Sequence, residues 1–309
     1  MKIRFLLLSA AALSSILLCG CANKNVSGGA VQTRDGTQQA GNSEQEIPAA
    51  SDEGRMRGTP DEDAMKIDVS YAGLDNGLVG WGLGREKDTL NRPLDAVNAQ
   101  KKYEDYSSLF IDLSENKTLY LTFDEGYENG CTAEILDTLR EKNAKAAFFV
   151  TYDYCKSSPE LVERMIKEGH TVGNHSCTHP SFPKCSEEQI KEEITALHSY
   201  VKDNFGYEMT LFRFPMGEFS ERTLKQVSEL GYTSVFWSFA YRDWDMNDQP
   251  SAQEAFDAVT ASTHDGGVYL LHAVSQANAS ALGDIIDYWR QQGYTVGNIN
   301  IPAKCGGEA

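Results

Sequence analysis

The segment LTFDEGYENG, Leu121–Gly130, contains an apolar run that ends in two adjacent acids and a glycine. The apolar, β-branched and aromatic residues before Asp124 predict a buried strand. Two carboxyl groups in one pocket repel each other, and burial raises the pKa of each. The pair is therefore tolerable only if a positive group shares the site, and a metal ion is the natural candidate.

Seven runs of apolar, β-branched or aromatic residues recur from Thr118 onward and predict strands. They are TLYLTF (118–123), AKAAFFVT (144–151), HTVGN (170–174), TLFRF (210–214), YTSVFWSF (232–239), GVYLLHAV (267–274) and YTVGNI (294–299). Helical patterns separate these runs, and the predicted helix starts are Ser158–Pro159, the capping box Ser186/Gln189, Ser220 and the capping box Ser251/Glu254.

This alternation of strands and helices predicts an α/β fold with parallel strands inside and helices outside. Seven units over about 180 residues fit a closed or nearly closed barrel better than a flat sheet. An open doubly wound sheet is the alternative. The first strand is not followed by GxGxxG, which disfavours a dinucleotide-binding fold.

The composition limits the partners of this chain. It has 309 residues, of which 41% are hydrophobic, and a formal net charge of -17 with a pI near 4.8. Nucleic acids and anionic lipid surfaces are bound through basic patches. We therefore expect no nucleic acid partner.

The first 25 residues, MKIRFLLLSAAALSSILLCGCANKN, have the layout of a secretory signal. The ending LCGC resembles the lipobox of bacterial lipoproteins, which predicts cleavage after Gly20 and lipidation of Cys21. We then expect a signal peptide over residues 1–20, a flexible linker over 21–66 rich in small and polar residues, and a folded domain over 67–305. The protein would be exported and anchored to the bacterial cell membrane, facing the cell wall; the alternative is a plain signal peptide and a released chain.

Unusual polar residues fall where predicted strands end. In a barrel of this kind the active site lies at that edge, where the loops toward the helices begin. The residues concerned are Asp124 and Glu125 after the first strand, His175 and His179 after the third, Arg213 in the fourth, Asp243 and Trp244 after the fifth, and His272 at the end of the sixth.

The spacing His175-x-x-x-His179 allows two imidazoles to converge on one ion. A nearby carboxylate would complete a set of three protein ligands with room for a water molecule, whose pKa the ion brings near neutrality. One acid of the pair Asp124/Glu125 can serve as the base that takes the proton of this water, and the other can serve as the ligand. The residues alone leave open which acid does which.

His272, across the barrel mouth, can serve as the acid that protonates the leaving group, with Asp243 as the carboxylate that orients it. Arg213 can pair with the basic carboxylate and hold it ionised. Trp244 offers a flat face on which a sugar ring can stack, or else packs in the core. The remaining histidines are interpreted as structural or surface residues: His170, His198 and His264.

The segments LTFDEGYENG, HSCTH, RFPMGEFSE, RDW and LLHAVS occur in the order and spacing of the five motifs of the polysaccharide deacetylases, carbohydrate esterase family four. Within that family the chain more closely resembles the muramic acid de-N-acetylases that prepare muramic δ-lactam in peptidoglycan. TFDEGYENG, FSERTL, VFWSFAYRDW and VYLLHAVSQANASAL carry this likeness, which extends over roughly residues 71–301.

The resemblance implies a distorted (β/α)7 barrel with a divalent metal, commonly zinc, held by an acid and two histidines. By position in the motifs, Asp124 is expected to be the base and Glu125 the carboxylate ligand beside His175 and His179. The same motifs imply three supporting roles: His272 as the acid tuned by Asp243, Arg213 as the residue that orients Asp124, and Leu270 as part of the acetyl pocket.

Two positions depart from the family pattern. The second acid is usually aspartate, and asparagine in some muramic acid enzymes, whereas Glu125 is one methylene longer. Met216, the fourth residue of RFPM, stands where tyrosine or arginine is usual. Methionine is tolerable there if the position acts on the oxyanion through its backbone N–H.

We therefore expect a metal-dependent hydrolase that removes acetyl groups from amino sugars of peptidoglycan strands, muramic acid first. One alternative is de-N-acetylation of glucosamine or chitin-like chains, and another is a wall-binding module with an inactive site. Glycoside hydrolysis by paired carboxylates is disfavoured, because the adjacent acids Asp124 and Glu125 cannot straddle a sugar at the separation of ~5 Å or more that such enzymes use.

Overall fold

The computed structural model describes residues 71–299 except residues 72 and 115. Cys21, the signal peptide and the linker lie outside the described residues, as does the domain boundary at residue 305, so these remain predictions. No helix in the described part of the chain is long and apolar enough to cross a membrane.

The described residues contain ten strands. They are β1 (Val79–Gly80), β2 (Ser108–Leu109), β3 (Thr118–Glu125), β4 (Ala146–Val150), β5 (Thr171–Asn174), β6 (Leu211–Phe212), β7 (Glu218–Phe219), β8 (Thr233–Val235), β9 (Val268–His272) and β10 (Thr295–Gly297). All seven strands predicted from the sequence are present, as β3, β4, β5, β6, β8, β9 and β10.

Eight α-helices lie in the same described range. They are α1 (Leu94–Lys102), α2 (Thr132–Glu141), α3 (Tyr152–Ser157), α4 (Pro159–Lys167), α5 (Glu187–Phe205), α6 (Glu221–Glu229), α7 (Ala252–Ala261) and α8 (Gln276–Gln291), with 3-10 turns at Glu104–Tyr106, Phe182–Lys184 and Pro215–Gly217. The capping boxes predicted for α5 and α7 are both formed, since each serine accepts a hydrogen bond from the backbone three residues on and its partner side chain bonds back.

Eight of these strands form one parallel sheet. β3 pairs with β4 on one edge and with β9 and β10 on the other, and the order continues from β4 through β5, β6 and β8 to β2. The sheet curls, so that the chain just after β8 reaches β9, where Phe239 pairs with Tyr269. The distorted barrel predicted from the sequence is thus confirmed, and the open doubly wound sheet is wrong.

Two short strand pairs are not predicted from the sequence. β2 fills the sheet beyond β8, in parallel register with it, and so adds an eighth strand to the predicted seven. β1 and β7 form a separate antiparallel pair, in which Val79 is opposite Phe219. Strands of two residues carry no periodicity, so only tertiary pairing reveals them.

The sheet separates two apolar layers. Leu121 and Phe123 of β3 pack on the outside, in a layer that includes Ile135 and Leu136 of α2. Tyr120 of the same strand packs on the inside, in a small cluster formed by Ala147, Phe149, Leu211, Val235, Val268 and Ile299. The direction of each side chain along β3 therefore alternates between the barrel interior and the helices.

Candidate active site

The candidate residues meet at the carboxyl-terminal edge of the sheet. Asp124 of β3 is the register partner of His272 of β9 on one side and of Phe149 of β4 on the other. His175 directly follows β5, and Arg213 directly follows β6. The edge therefore brings together side chains that lie far apart in the sequence, as the barrel prediction requires.

Asp124 and Arg213 form an ion pair, with 2.8 Å between Oδ1 and Nη1. Arg213 is fully buried, and its other nitrogens donate to the carbonyl oxygens of Val235 and Phe236 at 3.0 and 3.1 Å. Burial raises the pKa of Asp124, but the charges of Arg213, His175 and His272 and the hydrogen bond from Arg213 together outweigh burial, and the pKa lies below its ordinary value. The carboxylate is therefore held ionised and fixed in direction.

His175 and His179 lie next to this carboxylate. Nδ1 of His175 donates to the carbonyl oxygen of Arg213 at 2.9 Å, which leaves Nε2 with a free lone pair, 3.6 Å from Oδ2 of Asp124. The rings of the two histidines meet edge to face, with 4.8 Å between centroids. Desolvation lowers the pKa of both rings, to about 4 for His175, so both are neutral near pH 7.

Glu125 does not join this group. The regular pairing of β3 with β4 continues through residue 125, so successive side chains point to opposite faces of the sheet. Glu125 is buried on the helix side, beside Thr132 and Tyr154, and neither carboxyl oxygen has a hydrogen-bond partner among the described residues. Burial, and then the nearby charges of Glu128 and Asp124, raise its pKa well above the ordinary value.

The donors at the edge of the sheet fit a divalent ion in kind. Two neutral imidazoles and a free carboxylate oxygen, from His175, His179 and Asp124, are the ligand types that a catalytic zinc site uses. Within the described part of the chain, however, no three His, Cys, Asp or Glu side chains form a group arranged to hold a metal ion. The expected carboxylate ligand, Glu125, faces away from the two histidines because it is on the other face of β3.

His272 and Asp243 form a second pair at the same edge. Nδ1 of His272 lies 2.7 Å from Oδ1 of Asp243, and the backbone N–H of His272 donates to Oδ2 at 2.8 Å. Burial lowers the pKa of His272, but the hydrogen bond and charge of Asp243 outweigh it, and the pKa lies above its ordinary value. The free Nε2 is thus part of a ring that tends to carry a proton.

Asn278 contacts both residues of this pair, and the sequence analysis did not predict it. Its Nδ2 donates to Oδ2 of Asp243 at 2.6 Å and to the carbonyl oxygen of His272 at 3.1 Å, from the first turn of α8. A signal for it was available, because Asn278 lies on the buried face of α8, at helical spacing from Leu282 and Ile285. A polar residue at an apolar position predicts a buried hydrogen bond.

Three further predicted residues surround these pairs. Trp244 is half exposed, with its ring 5.5 Å from that of His272, so the alternative of core packing is wrong. Leu270 is buried two residues before His272, on the same face of β9. Met216 is 53% exposed and has a left-handed backbone, φ 57, in the turn before β7.

The remaining histidines have structural partners. His264 contacts Ser238 and the carbonyl oxygen of Ser262, and the ring of His198 contacts the hydroxyl of Tyr232 at 2.6 Å. His170 is buried and accepts the backbone N–H of Ala146. None of these four contacts involves a residue of the candidate site, in agreement with the sequence interpretation.

Comparison with known proteins adds a family to this geometry. The sequence profile for polysaccharide deacetylases matches residues 113–235. A peptidoglycan-N-acetylmuramic acid deacetylase of Bacillus subtilis, PdaA, is 40% identical over 73% of this chain and 86% of its own length. An uncharacterised 30.6 kDa protein of Geobacillus stearothermophilus is 42% identical over 74% of this chain and 86% of its own length.

Solved structures give the same result. The structure of Bacillus subtilis PdaA, a family 4 carbohydrate esterase, superposes with a TM-score of 0.70 at 38% identity, covering 73% of this chain and 97% of that one. A family 4 carbohydrate esterase from Bacillus anthracis superposes with a TM-score of 0.61 at 37% identity, covering 73% of this chain and 96% of that one.

Proposed function

This chain belongs to the polysaccharide deacetylase family, carbohydrate esterase family four, and we propose that it hydrolyses the acetamide of amino sugars in peptidoglycan, N-acetylmuramic acid first. The observation that carries the proposal is that Asp124 of β3 and His272 of β9 are register partners, and that each has its own charged side-chain partner. Asp124–Arg213 supplies a fixed carboxylate, and His272–Asp243 supplies, on the neighbouring strand, an imidazole whose pKa lies above its ordinary value.

These groups support a base and an acid on either side of the scissile amide. Asp124 takes a proton from the water that attacks the acetyl carbonyl carbon, because its free Oδ2 faces the open edge while Arg213 holds Oδ1. Nε2 of His272 gives a proton to the amide nitrogen as the C–N bond breaks, because Nδ1 is held by Asp243. The products are acetate and the free amine of the sugar.

We further propose that the reaction requires a divalent ion, with zinc as the first candidate. His175 and His179 would hold it, while Oδ2 of Asp124, 3.6 Å from Nε2 of His175, stays free as the base beside the ion. A bound ion supplies a Lewis acid that polarises the acetyl carbonyl and makes water more acidic. The neutral state of both imidazoles supports this role, since only an unprotonated ring nitrogen donates to a metal.

Muramic acid is the preferred substrate in this proposal. The support is the likeness in sequence and in fold to PdaA, which is named as a peptidoglycan-N-acetylmuramic acid deacetylase. The half-exposed ring of Trp244 next to His272 supports a sugar ring at the mouth of the site. De-N-acetylation of glucosamine remains the alternative within the same chemistry.

The test is release of acetate from defined glycans. The purified protein is incubated with peptidoglycan strands whose muramic acid lacks peptide, and separately with N-acetylglucosamine chains, with and without added zinc. We expect zinc-dependent acetate from the muramic acid strands, and a loss of about 10²–10⁴-fold in Asp124→Asn, the range that a general base contributes. Faster release from glucosamine chains would transfer the substrate assignment to the alternative.

One observation favours a different function. Glu125, the second acid of the family motif, is turned away from the histidines, which would suit a wall-binding module with an inactive site. Absence of acetate from both glycans, together with retained binding to insoluble peptidoglycan, would support that module and refute the hydrolase.

We also propose that the protein is exported and anchored to the cell membrane through a lipid on Cys21. The support is the lipobox-like LCGC after an apolar run in the sequence. The test is partition of the full chain and of Cys21→Ala between membrane and soluble fractions. Release of the variant alone would support the anchor, and equal partition of the two would refute it.

A further inference from the structure

The loop that carries the two histidines has an unusual backbone. Ser176 and His179 both have left-handed conformations, with φ of 70 and 58, which residues other than glycine adopt only when the surroundings impose them. The segment is therefore not helical, although its spacing would fit a helix. The two rings meet only because the chain bends at both ends of Cys177–Thr178.

Glu193 is the side chain that holds this bend. Its Oε2 accepts the backbone N–H groups of Cys177 and Thr178 at 2.9 and 2.8 Å, and its Oε1 accepts the hydroxyl of Thr178 at 2.6 Å. One carboxylate thus receives three hydrogen bonds from the two residues between the histidines. Charge-assisted hydrogen bonds of this type are stronger than those between neutral groups.

The helix that carries Glu193 is itself fixed to the sheet. α5 buries Ile190, Ile194, Leu197 and Val201, and its Ile194 carbonyl accepts Nδ2 of Asn174, the last residue of β5. Oδ1 of Asn174 in turn accepts the backbone N–H of Ser176. The loop is therefore attached to α5 at both its start and its middle.

We propose that Glu193 is a positioning residue, which fixes the distance between His175 and His179 and so sets the affinity of this pair for a divalent ion. The inference rests on the proposed function for the ion itself, but the loop geometry is a separate claim. Glu193 does not touch the rings; it acts through the backbone of the residues between them. Glu193 lies outside the family motif HSCTH, on the following helix α5.

The test compares four full-length proteins: wild type, Glu193→Ala, Glu193→Gln and Glu192→Ala. Glu192 is the exposed neighbour in α5 and serves as the matched control. Two quantities are measured, hydrogen exchange of the amides of Cys177 and Thr178, and zinc affinity of the metal-free protein by calorimetry. Cobalt substitution adds a spectrum that reports the ligand geometry.

In Glu193→Ala we expect faster exchange of both amides and a zinc affinity about 10–100-fold weaker, the cost typical of losing a residue that orients metal ligands. Glu193→Gln keeps one acceptor oxygen and should fall between this variant and the wild type, while Glu192→Ala should match the wild type. Because the glutamine variant keeps the shape of the side chain, it also separates positioning from a general loss of folding.

Either of two results would overturn the proposal. One is unchanged amide exchange in Glu193→Ala, whether or not the wild type binds zinc; the other is a zinc affinity equal to that of the wild type despite faster exchange. A wild-type protein that binds no zinc would instead refute the ion in the proposed function, so the two failures can be told apart.

Discussion

Asp124 and Glu125 are consecutive in β3, yet their carboxyl groups lie on opposite faces of the sheet. Asp124 points to the barrel interior and pairs with Arg213, whereas Glu125 points to the helices and is buried beside Thr132 and Tyr154. The two acids therefore do not share one pocket. Arg213 is the positive partner of Asp124, and it does not pair with Glu125.

Glu125→Gln tests this separation directly. Glutamine has the same shape, and neither oxygen of Glu125 has a hydrogen-bond partner within the described residues, so the fold should tolerate it. Loss of a residue that only hydrogen-bonds to a metal ligand typically weakens metal affinity by roughly 10-fold or more. We expect the zinc affinity of Glu125→Gln, measured by calorimetry on the metal-free protein, to fall by less than this. The comparison variant is His175→Ala, and equal losses in the two would contradict the separation.

Arg213→Met tests the buried cation. The change leaves Asp124 buried without its positive partner and leaves two backbone carbonyls, of Val235 and Phe236, without their donors. We expect a loss of about 3–5 kcal/mol in the free energy of unfolding, as for removal of one partner of a buried ion pair. Urea unfolding measures it, and Arg242→Met is the control.

Arg242 is an exposed arginine whose ion pairs with Asp245 and Asp248 lie at the surface. Because solvent screens such pairs, its removal should leave the unfolding midpoint close to that of the wild type. A loss in Arg213→Met no larger than in this control would show that the buried pair contributes little to stability.

Asp243→Asn tests the acid through its pH dependence. Asp243 raises the pKa of His272 above the ordinary 6.5, against the effect of burial, so activity that needs protonated His272 extends to higher pH and is lost as pH rises through that pKa. Without the charge, burial and Arg213 lower the pKa. We expect the alkaline limb of kcat/KM to move to lower pH, and an unmoved limb would assign it to another group.

Met216→Gly separates the side chain from the backbone at a motif position. The left-handed conformation of Met216 costs a residue with a side chain about 1–2 kcal/mol, so glycine should leave stability equal or slightly higher. If the backbone N–H is the functional group, kcat should fall by much less than the ~10²–10³-fold typical of a lost oxyanion donor.

The neighbouring change Gly217→Ala provides the contrast. Gly217 is also left-handed, and a Cβ there would lie 2.8 Å from the ring of Trp237. Thermal unfolding and acetate release should therefore both be impaired in this variant. Impairment of Met216→Gly to the same degree would assign a function to the methionine side chain.

Local signals in the sequence predict the strands and helix starts well. Two helix starts are indicated by four-residue capping boxes, Ser186 with Gln189 and Ser251 with Glu254. Strands such as 146–150 are long enough to show their apolar character. The barrel follows from their alternation, and its carboxyl-terminal edge gathers Asp124, His175, Arg213 and His272 without any knowledge of contacts.

What the sequence analysis missed depends on direction and on distant partners. The period of two in β3 places Glu125 with Leu121 and Phe123 on the helix side, whereas the family motif implies a metal ligand at this position. Glu193 was missed for a different reason. A glutamate on the half-exposed side of a helix predicts only a solvated surface, and its three hydrogen bonds go to a loop that folding alone brings near.

The place of β9 in the sheet bears on how the protein is synthesised. β9 is made late, after β3 to β8, and it pairs with β3 from Tyr120 to Asp124, which brings His272 beside Asp124. A chain that ends before Val268 would keep Asp124, His175 and His179 but would lack His272. One edge of β3 would then expose unpaired backbone groups, which can pair with a strand of another molecule. Incomplete products would thus be inactive and prone to self-association, so only the finished chain could modify its substrate.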